Sequence, residues 1–173
     1  MFETRTATID RTGGRIAGYA AVYDAPSHTL AFPGVNKGQP FVERVAPTAF
    51  ERSLSSNIQL LIGHDHRELL ANTKSGLLKL RSDERGLAFE VDLPDTQKAR
   101  DVRALVDAGV LTEMSFGFHV RKDSWKGSER TLLDVDLREV SIVENGAYPQ
   151  TSAEARTYSP ALVRLRLRMR TLR

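Results

Sequence analysis

The sequence predicts an α+β fold dominated by β structure, a small antiparallel β-barrel or sheet surrounded by a few helices. Three observations carry that expectation. Short apolar runs recur along the chain with turn signals between them. One stretch, residues 57–63, is apolar at Ile58, Leu60, Leu61 and Ile62, hence on both faces, as in a strand covered from two sides. Only one segment carries a well-capped helical repeat: Asp95 or Thr96 can open it, Ala99, Val102, Leu105 and Val106 mark its apolar stripe, and Gly109 closes it.

In chain order, residues 2–9 and 15–23 read as an antiparallel pair around the turn Asp10-Arg11-Thr12-Gly13-Gly14. Residues 24–40 hold Pro26, Pro33, Gly34, Gly38 and Pro40 with little periodicity and form a long loop. A strand at 41–45 follows, then a helix opened by Pro47 and running through Ala49, Phe50 and Leu54. Strands at 77–81 and 87–93 make a hairpin across Ser82-Asp83-Glu84-Arg85-Gly86, and strands at 114–121 and 131–143 follow the capped helix. Residues 144–160, with Gly146, Pro149, Pro160 and small polar residues, read as a linker. The folded domain is therefore expected to end at about residue 155, with 156–173 as a basic tail.

The length of 173 residues suits one domain, and 40% apolar against 27% charged residues supports an ordinary core. There is no cysteine, which excludes disulfide scaffolds, thiolate metal sites and cysteine nucleophiles. Covalent chemistry must then use an oxygen or a nitrogen. No run approaches the roughly 18 apolar residues of a membrane span, and the first ten residues lack the apolar stretch of a signal peptide, so a soluble intracellular protein is expected. The net charge of +3 is unevenly spread. The last ten residues hold five arginines and no acid, and removing their five charges from +3 leaves −2 for residues 1–163. Only this tail is basic enough to attract nucleic acid.

Three places can carry chemistry. His64 and His66 follow the apolar run directly; two residues apart on an extended chain they share a face. They are either solvated residues at a strand end or, with Asp65 or Asp95, ligands of a zinc ion. Ser115 shares a face with Gly117 and His119, opposite the bulky Met114, Phe116, Phe118 and Val120. It is either a filler or a nucleophile with space beside it for a substrate backbone. The nucleophile elbow G-x-S-x-G is not met, because Glu113 stands at the first glycine. Glu139 sits where the apolar parity changes, from Val135 and Leu137 to Val140 and Ile142. It is either an edge-strand partner of Arg138 or Arg121, or a buried acid that needs a histidine. A histidine, a serine and an acid on separate segments form a set able to run serine acyl transfer.

The segments that hold these residues are Leu60-Leu61-Ile62-Gly63-His64-Asp65, then Gly86 through Leu93-Pro94-Asp95-Thr96, then Met114-Ser115-Phe116-Gly117-Phe118, and finally Glu139-Val140-Ser141 with Ala147-Tyr148-Pro149. In order and spacing, over roughly residues 15–155, they resemble the prohead maturation protease family of tailed bacteriophages, which is similar in fold to herpesvirus assemblin. The resemblance implies a serine endopeptidase that cleaves the scaffold or the scaffolding segment of the major capsid protein, and its own chain, inside the procapsid in the host cytoplasm. It assigns Ser115 as nucleophile, His64 as general base and Glu139 as the acid that orients the imidazole, with no cofactor and no metal. His66 is the second choice for the base. His119, the comparison invited by the second histidine of the herpesvirus enzymes, lies only four residues beyond Ser115. Gly63 stands where the family often has Asn. Two other readings remain: an inactive assembly module docking through its basic tail, and a zinc hydrolase using His64 and His66.

Overall fold

A computed structural model gives the structure of this chain and describes residues 15–144, 146–148 and, as backbone, 152–155. The expected strand at 2–9, its turn at 10–14 and the basic tail lie outside the described residues. The strands are β1 (Arg15–Val22), β2 (Val42–Val45), β3 (Gln59–Ile62), β4 (Asp65–Asn72), β5 (Leu78–Ser82), β6 (Gly86–Asp92), β7 (Glu113–Lys126), β8 (Glu129–Val143) and β9 (Ser152–Ala155). Helix α1 (Gln97–Asp107) is the one α-helix among the described residues. The described residues are mainly β, as expected, and form two sheets that are not closed into a barrel.

The first sheet has the order β5-β6-β1-β9, all antiparallel. Residues 152–155, expected within a linker, are thus an edge strand of this sheet, with Ile16 opposite Ala155. The second sheet is organised by β8. Strand β7 pairs with it antiparallel from Glu113↔Val143 to Lys126↔Glu129, which occupies one edge end to end. The other edge takes two shorter strands running parallel to it: β2 against Glu129 to Leu132, and β3 against Glu139 to Ile142. These parallel pairings depart from the antiparallel expectation.

Between β2 and β3 the same edge of β8 is met by residues 46–56, where a helix was expected. The structure has successive turns instead, with bonds such as Ser53 N to Phe50 O at 2.9 Å. The reason is competition for the backbone. In an α-helix the Ala49 carbonyl would accept from the Ser53 amide, but it accepts from Val135 N–H of β8 at 3.0 Å. Ser53 Oγ completes the join, donating to Val135 O at 2.7 Å and accepting from Leu137 N at 2.9 Å. The turns therefore stand in for a missing stretch of strand and satisfy the edge of β8.

Helix α1 forms where its caps predict. Thr96 Oγ1 accepts from Ala99 N at 3.2 Å, and Gly109, at φ +70°, follows the last turn. Its buried face, Ala99, Val102 and Val106, packs on the core, and Leu105 stays exposed. The core is continuous: Ile16, Leu87 and Phe89 of the first sheet, Leu60, Met114, Phe116, Val140 and Ile142 of the second, and Val102 and Val106 of α1 belong to one apolar cluster. Residues 140–143 are buried without alternation because β8 has neighbours on both edges there and cover on both faces.

Ser53 is fully enclosed and serves two backbone groups of β8. Ser53→Ala leaves both without a partner, and chemical denaturation is expected to show a loss of about 1–3 kcal/mol. A change within 0.5 kcal/mol, about the range of an ordinary surface substitution, would remove the bridging role.

Candidate functional site

Strands β3 and β4 are joined by two residues, Gly63 and His64, with φ of 58° and 61°. Positive φ at both central positions is the signature of a type I′ hairpin turn, which matches the twist of its strands and favours Gly, Asn and Asp. Gly63, having no Cβ, adopts this backbone without strain. The turn is fastened to the end of β8: Gly63 N donates to Ile142 O at 3.0 Å and His64 N to Ser141 Oγ at 3.2 Å. His64 is thus held by its backbone before its side chain makes any contact.

Glu139 lies on β8, opposite Gln59 of β3 and Gly117 of β7. The residue is only 4% exposed, and a carboxylate so enclosed must be supplied with donors. His64 Nδ1 lies 2.6 Å from Glu139 Oε1, and Ser141 Oγ donates to Oε2 at 2.6 Å. Arg138 and Arg121, the alternative partners, pair with Asp136 instead. The parity change read in the sequence corresponds to a register shift, in which Gly117↔Glu139 is followed by Phe118↔Leu137.

Ser115 stands on β7 directly opposite Ser141, two pairs along from Gly117↔Glu139 and on the same face. Opposed residues of an antiparallel pair share a face with Cβ atoms about 4.5–5.5 Å apart. Ser115, Gly117, Ser141 and Glu139 therefore form one small, polar patch of the sheet, to which the His64 turn is pinned. The next residue, Phe116, points the other way and locks β7 into the core, with ring centroids 5.3 Å from Phe50 and 5.6 Å from Tyr148.

The space beside Gly117, expected to admit a substrate backbone, is taken by Glu139. A Cβ at Gly117 would overlap Glu139 Oε1 and approach Cδ to 3.0 Å. His66 does not share a face with His64, because His64 sits in the turn and His66 in β4. Its Nδ1 lies 3.1 Å from Gln59 Oε1. Asp65 is bonded to Arg67, and Asp95 to Arg100. The zinc reading is corrected accordingly: no group of three His, Cys, Asp or Glu able to hold a metal ion occurs among the described residues. His119 lies exposed farther along β7. Sequence reasoning gave Ser141 no role, although its Glu-Val-Ser context was a visible signal, and gave none to Tyr148, whose hydroxyl donates to the buried Glu43 at 2.7 Å.

The family model for caudovirus prohead serine proteases matches residues 2–164. The chain belongs to that family. The resemblance read from its motifs is borne out. Among solved structures, it is similar to the herpesvirus KSHV protease determined with a hexapeptide phosphonate inhibitor. That similarity has 14% identity and a TM-score of 0.48, and covers 80% of this chain and 63% of the other. The chain thus spans a little under two thirds of that relative's length. No curated protein matches it.

The hydrogen bond that His64 donates to Glu139 raises the pKa of His64 above its ordinary 6.5, outweighing the opposing effect of partial burial. A folded-state value above the unfolded one means that the pair's contribution to stability is fully present below pH 6.5 and is lost as pH rises through the folded-state value. An NMR titration of His64 is expected to show a midpoint above 6.5 that falls in Glu139→Gln, where the carboxylate charge is gone. A midpoint unmoved by that change would exclude Glu139 as the cause. Gly117→Ala is expected to lower the same midpoint by displacing the carboxylate, at a stability cost of about 1–3 kcal/mol; an unchanged His64 titration would show that the glycine is not needed there.

Proposed function

We propose that the chain is a serine endopeptidase of procapsid maturation, with Ser115 as nucleophile, His64 as general base and Glu139 as the acid that orients it. Its substrates are the scaffold or the scaffolding segment of the major capsid protein, and its own chain, cleaved inside the procapsid in the host cytoplasm. The observation that carries the reading is the 2.6 Å contact of His64 Nδ1 with a buried carboxylate. An ionised carboxylate can only accept, so Nδ1 carries the proton and Nε2 is left as the basic nitrogen. The His64 side chain is 45% exposed, which leaves the ring accessible to a substrate.

In this reading the Ser115 Oγ–C bond to the scissile carbonyl forms as the hydroxyl proton passes to His64 Nε2. The tetrahedral adduct collapses with rupture of the C–N bond, and the same proton leaves on the amine. Water then attacks the ester, gives a proton to His64, and the acid product departs as that proton returns to Ser115 Oγ. Glu139 stabilises the imidazolium formed in each half and holds the productive tautomer.

Mass mapping of capsid-protein termini after co-expression tests activity, site and substrate together. Ser115→Ala and His64→Ala are expected to lower cleavage by about 10⁴-fold or more, and Glu139→Gln by less, with shells assembled but uncleaved. The wild-type rate is expected to rise with pH along a limb centred above 6.5, because His64 must be neutral to act. Normal processing by Ser115→Ala would sink the reading.

A further inference from the structure

The geometry points to Ser141 as a positioning residue that fixes His64 and Glu139 relative to each other. This inference rests on the proposed roles of Ser115, His64 and Glu139 and adds a fourth residue to them.

Ser141 is 0% exposed and makes two hydrogen bonds with one hydroxyl. It donates to Glu139 Oε2 at 2.6 Å and accepts from the His64 backbone amide at 3.2 Å. With the contact of His64 Nδ1 and Glu139 Oε1 at 2.6 Å, the three residues close a hydrogen-bonded ring. The hydroxyl has a single proton, and a carboxylate can use it only as an acceptor, so the direction of each bond in the ring is set. The two oxygens of Glu139 are thus tied to different partners, and the carboxylate cannot rotate without breaking one bond. The other end of the ring holds the backbone of His64, a non-glycine residue at φ 61° whose conformation needs outside support. A group that only filled the core would make neither bond. The β-register puts Ser141 opposite Ser115 on β7 and Leu61 on β3, at the centre of the polar patch.

Ser141→Ala removes the oxygen and little volume. The expected result is a kcat lowered about 10- to 100-fold, the size associated with a hydrogen bond to an ionised group, with KM unchanged within about twofold because substrate does not touch Ser141. Two spectroscopic readouts, taken in the inactive Ser115→Ala background, report on the ring independently of catalysis. The low-field proton signal of His64 Nδ1–H is expected to be lost to exchange, and hydrogen exchange at the His64 amide to accelerate. Ser141→Cys, which keeps a weak donor of similar size, is expected to fall between wild type and Ser141→Ala in all three, and carries the test if the alanine variant does not fold. An unchanged Nδ1–H signal overturns the proposal, and so does an altered signal with wild-type kcat. If Ser115→Ala still cleaves substrate, the proposed chemistry fails and the positioning of His64 for it fails as well, whereas wild-type behaviour of Ser141→Ala beside an inactive Ser115→Ala removes Ser141 alone.

Discussion

Burying the carboxylate of Glu139 in the middle of a sheet is the constraint around which the site is organised. Left alone, such a group would carry a desolvation cost of several kcal/mol. The surrounding features are the means of offsetting it. Gly117 on one neighbouring strand leaves the volume that the carboxylate fills. Ser141, two residues along on the same face of β8, supplies one donor, and the His64 turn supplies the other. The turn reaches Glu139 because β3 runs parallel to β8 and ends beside Ile142, which places the loop after β3 just past the end of that pairing. An antiparallel β3 would deliver its following loop to the opposite end.

The fold holds a second buried acid and treats it differently. Glu43 is bonded to Arg130 at 3.1 Å and to the Tyr148 hydroxyl at 2.7 Å. Burial pushes Glu43 up, while Tyr148 and Arg130 pull it back; burial and the neighbouring carboxylate raise Tyr148, so its hydroxyl stays a donor. Arg130 is in turn bonded to Asp123 at 2.8 Å. A guanidinium is charged at any working pH, so this acid has a permanent partner. Glu139 instead faces an imidazole, whose charge changes near neutrality. The first arrangement ties β2, the start of β8 and residues 146–148 into one frame; the second leaves a proton free to move. Tyr148 links the two, since its ring stacks on Phe116, the neighbour of Ser115.

The elements that the sequence misread share one cause. The stretch 47–54 has helical spacing, but its carbonyl at Ala49 is claimed by β8, and local propensity yields to the edge of a strand. Strand β4 passes unnoticed because Asp65-His66-Arg67-Glu68 is polar on an edge with no face to bury until Leu70 and Ala71. Strand β9 is hidden among turn-forming residues and exists through its pairing with β1. In each case the deciding partner is far away in sequence. Where the partners are local, as in the Thr96 cap of α1 or the hairpin of β5 and β6, the reading needed no correction.

The same division runs through the site. By itself the sequence determined a cysteine-free, mainly β domain, the family to which it belongs, and three residues of suitable chemistry, because composition, apolar period and motif order are properties of the chain read along its length. Only the tertiary structure decided that His64 turns toward Glu139 while His66 turns toward Gln59, that the glycine beside Ser115 makes room for an acid, and that Ser141 closes the ring. These depend on a left-handed turn and on the cross-strand register of β3, β7 and β8. A hydrogen bond is sensitive to tenths of an ångström and to direction, and the strands that set this one are up to 80 residues apart in the chain.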